Sequence, residues 1–274
     1  NYEVSILGNA MSSLSGKVAI ITGGAASIGA AITRKLHADG AKVVVAARSQ
    51  DKGEAIAAEL GDGCSFISTD ITKDADLRAL VNATRETYGG LHIVVNNACS
   101  YGDDGASTDR ETWLNTINTN AVSAAILGEI ARPLLKGCGG CIVNIGSVSG
   151  RFPHIGRWAY PVAKATLRHL SKTQAVEYAQ DGIRVNLLML GHIWSDPFEA
   201  LTGDNRAHAD SVSEPFNLMG RVANGVEVAN VVSFVASDAA SYITGGEIPV
   251  DGGYSAMGPE QHTPLMPLLM EGNS

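Results

Sequence analysis

A single α/β domain, built on a doubly wound parallel sheet of about seven strands with helices on both faces, is the fold this sequence predicts. Three observations predict it. Short runs rich in valine and isoleucine alternate with longer stretches of helical periodicity. The runs are apolar almost throughout, which is the pattern of strands buried on both faces in a parallel sheet. No proline-, glycine- or serine-rich linker divides the 274 residues, a length that holds one large α/β domain. Strand–helix alternation of this kind implies right-handed βαβ units.

In chain order, KVAIIT at 17–22 is the first strand, and the periodic stretch 27–39 is the helix that carries the chain back across the sheet. The strand KVVVA at 42–46 and the helix 50–60 repeat the unit, as do CSFIS at 64–68 and the helix 74–88. The fourth strand is expected at 91–95 with a long helix at 108–132, the fifth at 140–146 with a helix at 158–180, and the sixth at 183–189. Residues 191–220 break the rhythm and are expected to form a loop or helical flap near the substrate. A helix at 225–237 and a last strand, EIPV at 247–250, complete the pattern. The domain is expected to span 11–258, with 1–10 an N-terminal extension outside it and 259–274 a C-terminal tail packed on the body or on a partner subunit.

The net charge of −8 argues against a nucleic-acid surface, which needs a basic face. No apolar stretch approaches the length that spans a bilayer, and the first ten residues lack the basic and apolar regions of a signal peptide. The cysteines are Cys64, Cys99, Cys138 and Cys141. The pair Cys138-Gly-Gly-Cys141 has no second pair to complete a zinc site and opens an apolar strand, so it reads as two unrelated thiols. A reducing, cytoplasmic location and no metal site are expected.

The chemistry lies in the residues just past the end of each strand. Gly23-Gly24 come after the first, Arg48 after the second, Asp70 after the third, Asn96-Asn97 after the fourth, Ser147 after the fifth and Gly191 after the sixth. Open α/β sheets bind ligands beyond the carboxyl ends of their strands, so these residues are expected on one rim.

The segment TGGAASIGA at 22–30 fails two glycine fingerprints. Residue 25 is alanine where G-x-G-x-x-G needs glycine, and Ala30 stands where a P-loop needs lysine. What remains, Thr22-Gly23-x3-Ser27-Ile28-Gly29, resembles the T-G-x-x-x-G-x-G loop of the short-chain dehydrogenase/reductase family, with Ser27 in place of the middle glycine. The resemblance runs through nearly all of 14–256. Asn96-Asn97-Ala98 resembles N-N-A-G, with Cys99 for the glycine, and Asp70-Ile71 resembles the pair that contacts adenine. The segment around Trp113 and Asn120 resembles the helix carrying the catalytic asparagine. ASYITGGEIPVDGG at 240–253 resembles the C-terminal strand signature. Ser147 and Tyr160-x-x-x-Lys164 match the Ser…Tyr-x-x-x-Lys set, and on a helix Tyr160 and Lys164 share one face.

The resemblance implies a Rossmann-like fold and an NAD(P)-dependent oxidoreductase interconverting a ketone and a secondary alcohol. Tyr160 would be the general acid/base, Lys164 would lower its pKa and hold the nicotinamide ribose, Ser147 would orient the substrate oxygen, and Asn120 would position a water linking Lys164 to solvent. Gly23, Ser27, Ile28, Gly29, Asp70, Ile71, Asn97, Ile193 and Ser195 would hold the cofactor together with Tyr160 and Lys164. The second strand ends Ala47-Arg48 without the carboxylate that takes the ribose hydroxyls of NAD. NADP(H) is therefore favoured, with Arg48 on the 2′-phosphate and NAD(H) the alternative.

Three departures bear on the site. Cys99 adds a side chain near the nicotinamide. Leu190-Gly191 replaces the usual Pro-Gly and is expected to loosen that turn. Ser195 lies near a threonine that contacts the carboxamide. An NAD-dependent alcohol or polyol dehydrogenase with the same site, and a non-catalytic dinucleotide sensor, are the competing readings. The pocket walls are expected from Cys99–Tyr101, Val148–Trp158 and His192, Trp194 and Phe198 of the flap, and His154 and His192 are given no role. A small-molecule substrate, a medium-sized and partly apolar carbonyl or alcohol compound, is the expected partner, with neither nucleic acid nor membrane, in a homo-oligomer, tetramer or dimer.

Overall fold

In a computed structural model, residues 14–258 and 265–271 are described. Seven parallel strands form one sheet in the order β3-β2-β1-β4-β5-β6-β7. They are β1 Val18–Thr22, β2 Lys42–Ala47, β3 Cys64–Ser68, β4 Ile93–Asn96, β5 Cys141–Ser147, β6 Arg184–Leu190 and β7 Glu247–Val250. The α-helices are α1 Ser27–Ala38, α2 Gln50–Leu60, α3 Asp74–Tyr88, α4 Arg110–Ile117, α5 Ser123–Leu135, α6 Ala159–Tyr178, α7 Asp196–Thr202, α8 Arg206–Ser213, α9 Gly225–Ala236 and α10 Leu265–Glu271. The doubly wound α/β fold is the one the sequence predicts.

The strands alternate between two cores with a period of two, as a pleated sheet covered on both faces requires. Ala19, Ile21, Val43, Val95, Val143 and Ile145 face Ile32 and Leu36 of α1 and Val228 and Val232 of α9. Their neighbours Ile20, Val44, Val94 and Ile142 face Leu77 and Leu80 of α3, Leu127 and Ala131 of α5, and Ala175 and Tyr178 of α6. Each large aliphatic side chain so buried contributes about 1.5–3 kcal/mol, and this double core fixes the height at which every strand ends.

The helix expected at 108–132 is divided. Asp109 caps α4, its Oδ1 accepting the Thr112 amide at 2.7 Å, so α4 begins at Arg110. A π-helical turn, Asn118–Val122, then separates α4 from α5. α5 continues through Pro133 to Leu135. Residues 191–220 contain α7, α8 and a 3₁₀ turn, Glu214–Phe216. Residues 1–10 lie outside the described residues. Of the expected tail, α10 is described, and Leu265, Met266, Leu268 and Met270 on it are exposed.

Candidate active site

β1 and β4 are neighbours, but the chain leaves β1 toward β2 and leaves β4 toward β5, so a crevice opens where their carboxyl ends diverge. Thr22 stitches this point. Its Oγ1 donates to the Val95 carbonyl at 3.2 Å and accepts the amides of Asn97 and Ala98 at 3.0 and 3.1 Å. Asn97 Nδ2 donates to the carbonyls of Thr22 and Gly23 at 2.9 and 3.2 Å. The loop after β1 needs glycine at two places. Gly23 has φ +65°, and a Cβ on Gly29 would lie 2.0 Å from the Gly23 carbonyl oxygen. Ser27 has φ +51°, in the left-handed region that L-residues avoid. Its hydroxyl accepts the Asp196 amide of α7 at 3.3 Å. Ala26, the N-cap of α1, supplies no side-chain bond, and the first turn carries no acid. The N-terminal amides and positive dipole end of α1 therefore meet no compensating anionic side chain from the helix itself.

A cavity of about 320 Å³ lies over this rim. The expected site residues Ile28, Asn97, Ser147, Tyr160, Lys164, Ile193 and Ser195 line it, and so do Cys99, Tyr101, His154, Arg157, His192 and Phe198 of the expected pocket walls. Tyr160 and Lys164 stand one turn apart on α6, and Lys164 Nζ lies 5.6 Å from the Tyr160 ring centroid. Lys164 is 3% exposed and donates to the Ile145 carbonyl at 2.8 Å. Burial, reinforced by Cys99 and Tyr101, pushes the Tyr160 phenol well above its ordinary value, while its hydrogen bond with Ser147 and the Arg157 guanidinium pull the other way. The lowering expected from Lys164 does not dominate in the chain alone, where burial is the largest cause of the shift.

Asn120 occupies the π turn, a distortion often found at functional sites. Its side chain closes on Ser100, accepting the amide at 2.7 Å and donating to the carbonyl at 2.9 Å. Asn120 and Lys164 also line a small void of about 10 Å³ with Thr22, Asn96 and Ser123.

One contributor, Asp103, escapes sequence reasoning, and Tyr101, expected only as a pocket wall, contacts the phenol directly. Asp103 accepts the Trp158 amide at 2.8 Å and the Tyr160 amide at 2.8 Å through Oδ2, and the Gly105 amide at 3.0 Å through Oδ1. It caps α6 from a distant loop, since the N-cap Trp158 offers no side-chain bond. Against the opposing effect of burial, these amides hold the Asp103 carboxyl below its ordinary range. Tyr101 stacks on Tyr160, ring centroids 5.3 Å apart. In sequence, Asp103-Asp104-Gly105 resembles an ordinary solvated turn, and nothing local marks Asp103 as a cap.

Other expected residues stand apart from the cavity. Arg48 is exposed just past β2. Asp70 accepts the Thr72 amide and hydroxyl at 3.1 and 2.7 Å, and Ile71 borders the small void. Trp158 is 53% exposed, and Trp194 packs under Arg206, 5.4 Å from ring centroid to guanidinium, so neither lines the cavity. Leu190 does not loosen its turn. It pairs with Val250 in the β6–β7 ladder, and the Gly191 amide donates to the Val250 carbonyl at 3.1 Å. A leucine keeps the N–H that proline lacks, so the ladder runs on.

Residues 23–255 match the family described as Enoyl-(Acyl carrier protein) reductase. The chain is 34% identical over 248 residues to a 2,5-dichloro-2,5-cyclohexadiene-1,4-diol dehydrogenase of Sphingobium indicum, covering 88% of this chain and 97% of that one. It is 35% identical over 246 residues to a 3-alpha-(or 20-beta)-hydroxysteroid dehydrogenase of Mycobacterium bovis, covering 88% and 90%. It is 37% identical over 240 residues to the 3-oxoacyl-[acyl-carrier-protein] reductase of Escherichia coli, covering 87% and 97%.

Proposed function

The chain belongs to the short-chain dehydrogenase/reductase family, whose members are NAD(P)-dependent oxidoreductases of alcohol and ketone groups, and from that premise we propose that Tyr160, Lys164, Ser147 and Asn120 carry its reaction. The observation that carries the reading is the convergence of Ser147, Tyr160 and Lys164 on one cavity together with Asn97, Ile28 and Ser195.

The residues fit a dinucleotide. The loop Gly23–Gly29 packs so closely that a Cβ on Gly29 would strike backbone, and the uncapped start of α1 suits a pyrophosphate. Gly23, Ser27 and Gly29 would approach it, with Asp70 and Ile71 toward the adenine and Ile193 and Ser195 toward the carboxamide. The bound nicotinamide supplies or accepts the hydride. The chain's own residues handle the proton. Tyr160, held protonated by its buried setting, gives its proton to the substrate oxygen in reduction and takes it back in oxidation. Ser147 bonds the phenol and orients that oxygen. Lys164 sits under the ring, and the void beside Asn120 has about the volume that one water needs to relay a proton from Lys164.

Ala47 leaves no carboxylate at the ribose position, and Arg48 is exposed beside it, which supports NADP(H) over NAD(H). Exposed Leu114, Val122, Val162 and Val176 suit burial between subunits of a tetramer or dimer, which light scattering tests. Among the described residues no helix is long and apolar enough to cross a membrane, and the free cysteines suit a reducing, cytoplasmic setting.

The decisive experiment follows NADPH oxidation with a carbonyl panel in wild type and Tyr160→Phe. Loss of about 10²–10⁴-fold in turnover, the usual worth of a general acid, with cofactor binding retained supports the reading. Normal turnover in Tyr160→Phe overturns it.

A further inference from the structure

Among the described residues the cavity lining carries cations but no acid: no aspartate or glutamate lines it, and the cations on it are Lys164 and Arg157. Lys164 is enclosed, bound to the Ile145 carbonyl and placed under Tyr160. Arg157 is half-buried and makes one bond, from Nη1 to the Tyr101 carbonyl at 3.3 Å. Among the described residues no carboxylate is within ion-pair distance of it, a state it shares with Arg48, Arg78, Arg85, Arg110, Arg151 and Arg184, none of which lines the cavity. A guanidinium carries five donors in a planar fork matched to a carboxylate. Four of those on Arg157 have no acceptor among the described residues.

The two imidazoles on the wall point the same way. His154 Nε2 and His192 Nδ1 are buried without a partner. An orphaned N–H, or a cation, is costlier to bury than an orphaned lone pair, so the proton of each neutral ring belongs on its other nitrogen. Burial lowers the pKa of both, and the nearby His154 adds to the effect on His192. Both rings are then neutral N–H donors. Apolar Ile155, Pro197, Phe198 and Leu201 line the same cavity, together with the hydroxyls of Ser147, Ser149 and Ser195.

We propose that the physiological substrate carries a carboxylate besides its reacting carbonyl or hydroxyl, and that Arg157 holds that carboxylate. The proposal rests on the oxidoreductase reading and names the substrate class of the same site: a keto acid and its hydroxy acid, joined by an apolar spacer. The carboxylate is unchanged by the reaction, and only the carbonyl carbon takes the hydride and its oxygen the proton. The chain as a whole bears a charge of −8, so its overall field opposes an anion. An unpaired guanidinium inside the cavity is the local feature that reverses this.

The test uses a matched pair, 4-oxocyclohexanecarboxylate and its methyl ester, with wild type, Arg157→Gln and Arg157→Lys. KM and kcat are measured with saturating NADPH and again with NADH, and binding of each probe to the NADP⁺-loaded protein is measured by calorimetry. In wild type the acid is preferred by about tenfold or more, the worth of one charge-assisted pair. Arg157→Gln abolishes that preference through KM and Kd, and Arg157→Lys restores part of it. Arg157 also faces Tyr160, so the readout is the acid-to-ester ratio, which a merely structural or catalytic loss leaves in place. An ester bound or reduced as well as the acid by wild type overturns the proposal, as does a ratio unchanged in Arg157→Gln. If neither probe turns over, the binding ratio alone decides this proposal, while lack of turnover across a wider carbonyl panel counts against the oxidoreductase reading.

Discussion

Asp103 holds the amide of Tyr160 at 2.8 Å from a loop 57 residues earlier in the chain. The same oxygen takes the Trp158 amide at 2.8 Å, so one carboxylate caps the helix on which Tyr160 and Lys164 stand. Helix α6 has no cap of its own, and its first turn is oriented from outside.

Asp103→Ala therefore loses stability and catalysis together. The cap itself is worth about 0.5–2 kcal/mol, read as a drop in Tm. Misplacing the phenol lowers kcat more than it raises KM, and Asp103→Asn, which keeps acceptor oxygen but no charge, recovers most of the kcat. The pH dependence has a definite sign. The folded carboxyl titrates below its unfolded value, so its contribution is fully present above the unfolded carboxylate pKa of about 3.9. It is lost as pH falls through the folded value. Acid unfolding of wild type is steeper below about pH 4 than that of Asp103→Ala, and an unchanged acid limb would show that the carboxylate caps nothing.

The raised phenol of Tyr160 makes a second pH prediction. Burial, Cys99 and Tyr101 outweigh Ser147 and Arg157, so Tyr160 in the chain alone is an acid that keeps its proton through neutral pH. Carbonyl reduction, which needs that proton, shows no alkaline fall in kcat/KM up to about pH 9, below the ordinary tyrosine pKa. Tyr101→Ala removes the stacked ring and admits water, and the alkaline limb of reduction then moves to lower pH. A limb that stays in place in Tyr101→Ala excludes stacking as a cause of the shift.

The strands and the Ser147–Tyr160–Lys164 set are legible in the sequence because their signals are local. Doubly buried strands must be apolar throughout, and a helix places i and i+4 together whatever surrounds it. The features that are not legible depend on pairs far apart in sequence. The break between α4 and α5 coincides with Asn120 closing on the Ser100 backbone 20 residues away, and no periodicity in 108–132 encodes that contact. Asp103 has the same character. The direction of the Tyr160 shift is hidden because a cation four residues away is visible in sequence, whereas the burial that outweighs it is not.

Arg48 tests the cofactor reading. It is exposed past the end of β2, where Ala47 supplies no carboxylate. Arg48→Ala lowers kcat/KM for NADPH by about tenfold or more, the range of one charge-assisted hydrogen bond, and lowers it little for NADH. Ala47→Asp, which restores an acid beside the ribose, shifts preference further toward NADH. Equal losses for both cofactors in Arg48→Ala would remove Arg48 from the binding site.

Ser27 links the phosphate loop to the flap. Its φ of +51° is a conformation that glycine adopts freely and serine does not, and the left-handed region costs an L-residue about 1–2 kcal/mol. In exchange the hydroxyl holds the Asp196 amide at 3.3 Å, and Lys52 Nζ lies 4.0 Å from the Asp196 carboxylate. The start of α7 is thus tied to both α1 and α2. Ser27→Gly separates the two effects. Relief of the backbone, less the greater freedom of glycine in the unfolded chain, leaves Tm unchanged or raised by up to about 3 °C. Loss of the hydroxyl frees α7, so limited proteolysis within 196–220 accelerates while the rest of the chain resists. Ser27→Ala keeps the strained backbone and removes only the tether, so it accelerates flap cleavage without any gain in Tm. If both variants leave the flap as resistant as wild type, the Asp196 bond does not hold it. Faster cleavage in both, with a higher Tm in Ser27→Gly alone, assigns the strain to the backbone and the tether to the hydroxyl.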